Sequence, residues 1–95
     1  METPLLMFIR FECERNINLN VIEFEKTRLY ENYLEWLNDA GFGLNHSKPR
    51  FEKDMKTLLK IAPRGSQKIR HKKTIVYRIY PNEMLDVIIH NFETK

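Results

Sequence analysis

Hydrophobic residues change period several times along this 95-residue chain, and each change marks an element. Leu5, Phe8 and Ile9, continued by Glu12, recur at helical spacing behind Thr3 and Pro4. A threonine cap followed by proline at the first helical position predicts a short amphipathic helix to about Arg15. Asn16, Asn18 and Asn20 then alternate with Ile17, Leu19 and Val21. This two-residue period, leading into Ile22 and Phe24, predicts a loop and one short strand.

From about Glu25 to Ala40, Leu29, Tyr30, Tyr33, Leu34, Trp36, Leu37 and Ala40 form a wide apolar stripe. Arg28, Glu31, Asn32, Glu35, Asn38 and Asp39 fall opposite it. A stripe this wide serves more than one neighbour, and its aromatics read as core in preference to an exposed base-stacking platform. Gly41 with Phe42 behind it forms the expected C-terminal stop. Gly43 to His46 reads as a turn, and Ser47 with Pro49 opens another helix. That helix carries Phe51, Met55, Leu58 and Leu59 on one side, while Arg50, Lys53, Lys56, Thr57 and Lys60 project away.

Pro63, Arg64, Gly65 and Ser66 break the helix. Thr74 to Tyr80, rich in β-branched and aromatic residues, is the clearest strand. Its partner is Gln67 to Arg70, or a strand with an earlier start near Leu59, joined through His71, Lys72 and Lys73. Beyond Pro81, Leu85, Ile88, Ile89 and Phe92 follow helical spacing, with Asn82, Glu83 and Asp86 early. A closing helix is expected here, although Val87, Ile88 and Ile89 would also suit a strand. Its stripe covers the core, a second copy in a homodimer, or another part of a parent protein. The order of elements is that of an α+β winged helix-turn-helix: three helices, a basic β-hairpin wing and a C-terminal helix, in a single domain over residues 1–95.

Charge adds direction to this scheme. Between His46 and Arg78 stand eleven Lys and Arg residues against Glu52 and Asp54, a formal +9, so a net +3 for the chain hides −6 elsewhere. A concentrated cationic surface attracts polyanions and gains from releasing their counterions. A composition of 42% hydrophobic and 12% aromatic residues points to a folded domain, not a disordered basic tail. The nucleic-acid-binding candidates are therefore Lys48, Arg50, Lys53, Lys56, Thr57 and Lys60 on the helix, with Lys68, Arg70, Lys72 and Lys73 on the hairpin. Duplex DNA is the leading ligand, with single-stranded DNA or RNA as alternatives. Arg50, Lys53, Lys56 and Thr57 would face the major groove, and Arg50 can pair bidentately with guanine. The hairpin would grip phosphates. The rival reading is a protein-interaction module that engages an acidic partner, with Leu85, Ile88, Ile89 and Phe92 as an apolar docking surface.

Catalytic chemistry finds little support. His46, His71 and His90 lack metal-ligand spacing, and the single Cys13 reads as a buried thiol in a reducing compartment. Glu12, Glu14, Glu23, Glu25, Glu31 and Glu35 read mainly as exposed helix-face charges, and the three glycines form no phosphate loop. No cofactor or metal is implied, and the domain is not expected to be an enzyme. The apolar run from Pro4 to Ile9 is too short for a membrane span and lacks a basic leader, so an intracellular protein with no membrane partner is expected.

Several motifs together carry a family resemblance. Leu29-Tyr30-x-x-Tyr33-x-x-Trp36, then Gly41, then Ser47-x-x-x-Phe51-x-x-x-Met55, and finally Val76-Tyr77-Arg78-Ile79 span about half the chain in order. The pattern resembles the C-terminal winged-helix domain of primase-helicases from phages, plasmids and poxvirus-type large DNA viruses. The resemblance implies a DNA-binding module that follows a superfamily 3 helicase core and serves replication initiation or helicase placement. It also implies either a fragment of a longer replication protein or a small protein that uses the same fold alone. Family members commonly place a glycine after the tyrosine-bearing strand motif, whereas here Ile79 and Tyr80 run straight to Pro81.

Overall fold

Local capping sets the helix boundaries. In the computed structural model, which describes residues 3–43 and 46–93 without the side chains of residues 92 and 93, Thr3 caps α1 (Pro4–Arg15). Its hydroxyl accepts the Leu6 N–H at 3.3 Å. β1 (Ile22–Glu25) leads directly into α2 (Lys26–Asp39). Gly41 closes α2 at φ +86°, where its N–H donates to the Asn38 carbonyl and the Phe42 N–H donates to the Leu37 carbonyl at 2.8 Å. This paired arrangement satisfies carbonyls that the helix end leaves open. It also folds Phe42 back onto Trp36, with ring centroids 5.8 Å apart. The turn expected over Gly43 to His46 lies partly outside the described residues.

Ser47 caps α3 (Lys48–Ile61) by accepting the Arg50 N–H at 3.3 Å. The helix runs through Leu59 to Ile61, so the hairpin does not start near Leu59. Instead β2 (Ser66–His71) and β3 (Thr74–Ile79) flank a two-residue turn, with Lys72 at φ 55°. Both β1 and β2 pair antiparallel with β3 to give the order β1-β3-β2. Cross-strand partners share a face, which places Ile22, Ile79, Phe24 and Tyr77 on the core side. The architecture is α+β, with four α-helices and a three-stranded antiparallel sheet among the described residues.

α4 (Pro81–Ile88) packs on α1 and continues as a π-helical turn, Ile89–Glu93. A helix is therefore confirmed at this position, but its buried edge is rotated by about one residue from the expected stripe. Pro81, Met84 and Ile88 are buried, whereas Ile89 is exposed and Leu85 only lies against the core. Ile88 therefore belongs to the domain's own core and is not an exposed docking residue; the side chain of Phe92 lies outside the described residues. Gly65 permits the close approach of α4 at Met84. A Cβ there would stand 2.9 Å from the Met84 Cα, so only glycine lets α4 lie this close to the root of the hairpin.

A line of aromatic rings ties the layers together. Phe8 of α1 meets Tyr33 of α2 at 5.2 Å between centroids, Tyr33 meets Phe51 of α3 at 5.6 Å, and Phe51 meets Tyr77 of β3 edge-on at 6.4 Å. All four are at most 2% exposed, and each contributes roughly 1.5–3 kcal/mol by leaving water. Of the α2 aromatics Tyr33 is core, while Tyr30 and Trp36 are half-buried and pack against it. Cys13 is fully buried, and desolvation pushes its thiol up to about 12, with Glu12 and Glu14 adding repulsion. Glu12 departs from expectation. It continues the buried stripe of α1 at 5% exposure and is not a solvent-facing charge, while Glu23 and Glu25 lie on a strand, not on a helix. No helix among the described residues is long and apolar enough to cross a membrane.

Candidate nucleic-acid interface

The amphipathicity of α3 decides which charges face outward. Phe51, Met55 and Leu58 point into the core, so Arg50, Lys53, Lys56, Thr57 and Lys60 are all exposed. Beside this helix, the register puts Lys68 opposite Tyr77 and Arg70 opposite Ile75, on the same side of the sheet as the core. The hairpin continues past the core toward its tip, where His71, Lys72 and Lys73 are exposed.

An open groove of about 520 Å³ runs between α3 and the sheet. Lys53 and Lys56 line it from the helix, Lys68 from β2, and Glu52 and Tyr77 complete the wall. Three of the ten candidates are therefore brought to one concavity. Thr57 is not among them. It lines a small groove on the opposite flank of α3, beside Leu5 and Leu6 of α1, and its hydroxyl donates to the Lys53 carbonyl of its own helix at 3.2 Å. Arg50 reaches Asp54 at 4.0 Å, a loose and solvent-exposed pair that leaves the guanidinium accessible. Lys48 is half-buried and donates to the Thr27 hydroxyl at 3.2 Å. Lys60 projects from the outer face, and Arg70, Lys72 and Lys73 form the hairpin extension.

Two other cations of the charge pattern change meaning. Arg78 pairs with Glu23 at 2.8 Å across β3 and β1, on the face of the sheet turned away from the core, so it does not add to the groove. Lys26, which the basic run does not include, reaches Glu52 at 2.9 Å from the start of α2. That hydrogen bond is the main reason the Glu52 carboxyl titrates below its ordinary range, so it stays ionised in the midst of the lysines. Nothing in the spacing of the sequence indicates this pair, because its members are brought together only by the packing of α2 against α3. His46 is also occupied. Its carbonyl accepts the Tyr30 hydroxyl at 2.7 Å, and its Nδ1 lies 3.3 Å from the Tyr33 hydroxyl.

The chain matches the family model described as poxvirus D5 protein-like over residues 4–93. It belongs to that family. The primase-helicase resemblance carried by the α2, α3 and β3 motifs is thus shown across nearly the whole chain. No curated protein and no solved structure matches it. In this D5-like domain half of the motif residues are internal. Tyr33, Phe51, Met55 and Tyr77 are buried, and Gly41 is the helix stop. In this chain those motif residues build the scaffold, while the lysines of α3 that stand between them are on the surface.

Proposed function

We propose that this D5-like domain is a winged-helix module of a viral primase-helicase and that it binds duplex DNA. The observation that carries the reading is the convergence of Lys53, Lys56 and Lys68 on one groove between α3 and the sheet, with the Lys72–Lys73 tip extending beyond it. A groove flanked by a helix and a hairpin suits a phosphate backbone, which asks for charge and reach more than for fixed geometry. With the backbone so held, the outer ridge of α3 enters the major groove. Lys60 supplies a point charge there, and Arg50 is the one group of this ridge able to fork onto guanine. Arg78 lies on the far face of the sheet and stays outside the contact surface, whereas Thr57, exposed on α3 between Lys53 and Lys60 and bordering the α1 flank, lies at its edge. In the parent enzyme the domain holds DNA in place while chemistry proceeds elsewhere.

Fluorescence anisotropy with a labelled duplex across a salt series tests the hairpin's part. Removing charge in a Lys72→Ala, Lys73→Ala variant is expected to weaken binding to all sequences alike. It should also lower the log–log salt slope by about 2, one for each lost phosphate contact. A variant that binds as the parent does, with the same slope, would remove the hairpin from the interface.

A further inference from the structure

A second groove, of about 460 Å³, opens between α1, α2 and β1, built from elements other than the basic hairpin and α3. Its chemistry is the reverse of theirs. α2 contributes Glu35, Trp36 and Asp39, a stripe distinct from the Leu29, Tyr33 and Leu37 edge that it sends into the core. α1 contributes Phe11, Glu12 and Arg15. Three carboxylates against one guanidinium leave the groove acidic, which disfavours a phosphate-bearing ligand. Among the described residues no group of His, Cys, Asp or Glu converges closely enough to hold a metal ion, so the carboxylates are spaced along a groove and do not form an ion cage.

The walls are aromatic as well as acidic. Phe11 and Trp36 lie 6.4 Å apart between centroids, and Phe11 is 42% exposed, although α1 could have placed a polar residue there at no cost to its core edge. Arg15 shows what this combination holds. Its guanidinium carbon lies 5.6 Å from the Phe11 ring centroid, and its Nη1 is 3.5 Å from the Glu12 carboxylate. A planar cation thus already rests at one edge of the groove, held by a ring and an acid together. Glu35 and Asp39, one helical turn apart and exposed, extend the acidic wall along α2. The volume lies within the range of pockets that accept a drug-sized group.

We propose that this groove docks an arginine-bearing basic segment of a partner protein. A guanidinium of the partner lies against Trp36, as that of Arg15 lies over Phe11, and bonds to Glu35 and Asp39. The two faces then recruit opposite partners: polyanion on α3 and the hairpin, polycation on α1 and α2. Both can be occupied at once, since they are built from different residues.

Trp36 is the only tryptophan of the chain, so its emission reports the groove directly. The probe is an acetylated, amidated tetra-arginine peptide, with tetra-lysine as the control. Tetra-arginine is expected to change Trp36 emission saturably and to bind more tightly than tetra-lysine, because only a planar guanidinium stacks on a ring. A Glu35→Gln, Asp39→Asn variant, substituted at exposed positions and checked for unchanged circular dichroism, should bind about fivefold more weakly. A Glu31→Gln variant, altered at an exposed acid outside the groove, should bind as the parent does. Absence of a saturable change, equal affinity for the two peptides, or an unaffected double variant would overturn the proposal. Self-association in light scattering that the double variant abolishes would assign the groove to a second copy and overturn it too.

Discussion

The cationic face and the acidic groove differ in more than sign. The exposed lysines of α3 and the hairpin stand in solvent, and Glu52 and Asp54 interrupt the basic surface from within. In the acidic groove one carboxylate is buried, an arginine is already engaged, and four aromatic rings contribute to the wall. The first surface suits a long, uniform ligand that is recognised by charge at many points. The second suits a short ligand that is recognised by shape and charge at one or two points. One small domain can carry both because the aromatic line from Phe8 to Tyr77 holds the two surfaces to a common core.

Breaking that core should cancel the comparison. Phe51→Ala removes the ring that joins α2 to β3, and the loss is expected to be about 3–5 kcal/mol in urea denaturation, with both surfaces failing together. If instead DNA binding survived a loss of this size, the basic surface would not depend on the packing of α3.

A smaller effect separates the two surfaces by pH. Burial holds the Glu12 carboxyl above its ordinary value of 4.5, and Arg15 opposes this only in part. The folded protein therefore binds the Glu12 proton more tightly than the unfolded chain does. Stability from this group is present at low pH and falls as pH rises from 4.5 through the raised folded value. Glu12→Gln should flatten that fall, read as the difference between wild-type and variant denaturation midpoints across the pH range. A parallel pair of curves would show that Glu12 is not desolvated. The smallest expected change sharpens the contrast from the cationic side. Glu52→Gln removes the carboxylate among the lysines and is expected to raise duplex affinity about two- to fivefold at low salt, by anisotropy.

Features fixed by neighbouring residues were legible in the sequence. Thr3 and Ser47 cap the helices they precede, Gly41 and Phe42 close α2, and the spacing around Phe51 and Met55 sets which way the α3 lysines point. The β-branched run of β3 and its hairpin partner were legible for the same reason. Features fixed by contacts between distant segments were not. The burial of Glu12 follows from α2 and β1 covering α1, and the pairing of Lys26 with Glu52 joins residues from two helices. The close approach of Met84 in α4 depends on Gly65, which the sequence marked only as a breaker. Within the candidate interface the residues were legible but their grouping was not. Thr57 looks outward by helical period, yet only the position of α1 places it on the other flank.

The most direct measurement of the central claim is duplex anisotropy for wild type and a Lys53→Ala, Lys56→Ala, Lys68→Ala variant across a salt series. All three side chains are on the groove and outside the core, so the fold should persist, which circular dichroism of the variant checks. The account predicts steeply salt-dependent wild-type binding, weakened in the variant by at least about tenfold, with the slope lowered by roughly 2 to 3. Equal binding by the folded variant and the wild type at low salt would contradict the assignment of this groove to DNA.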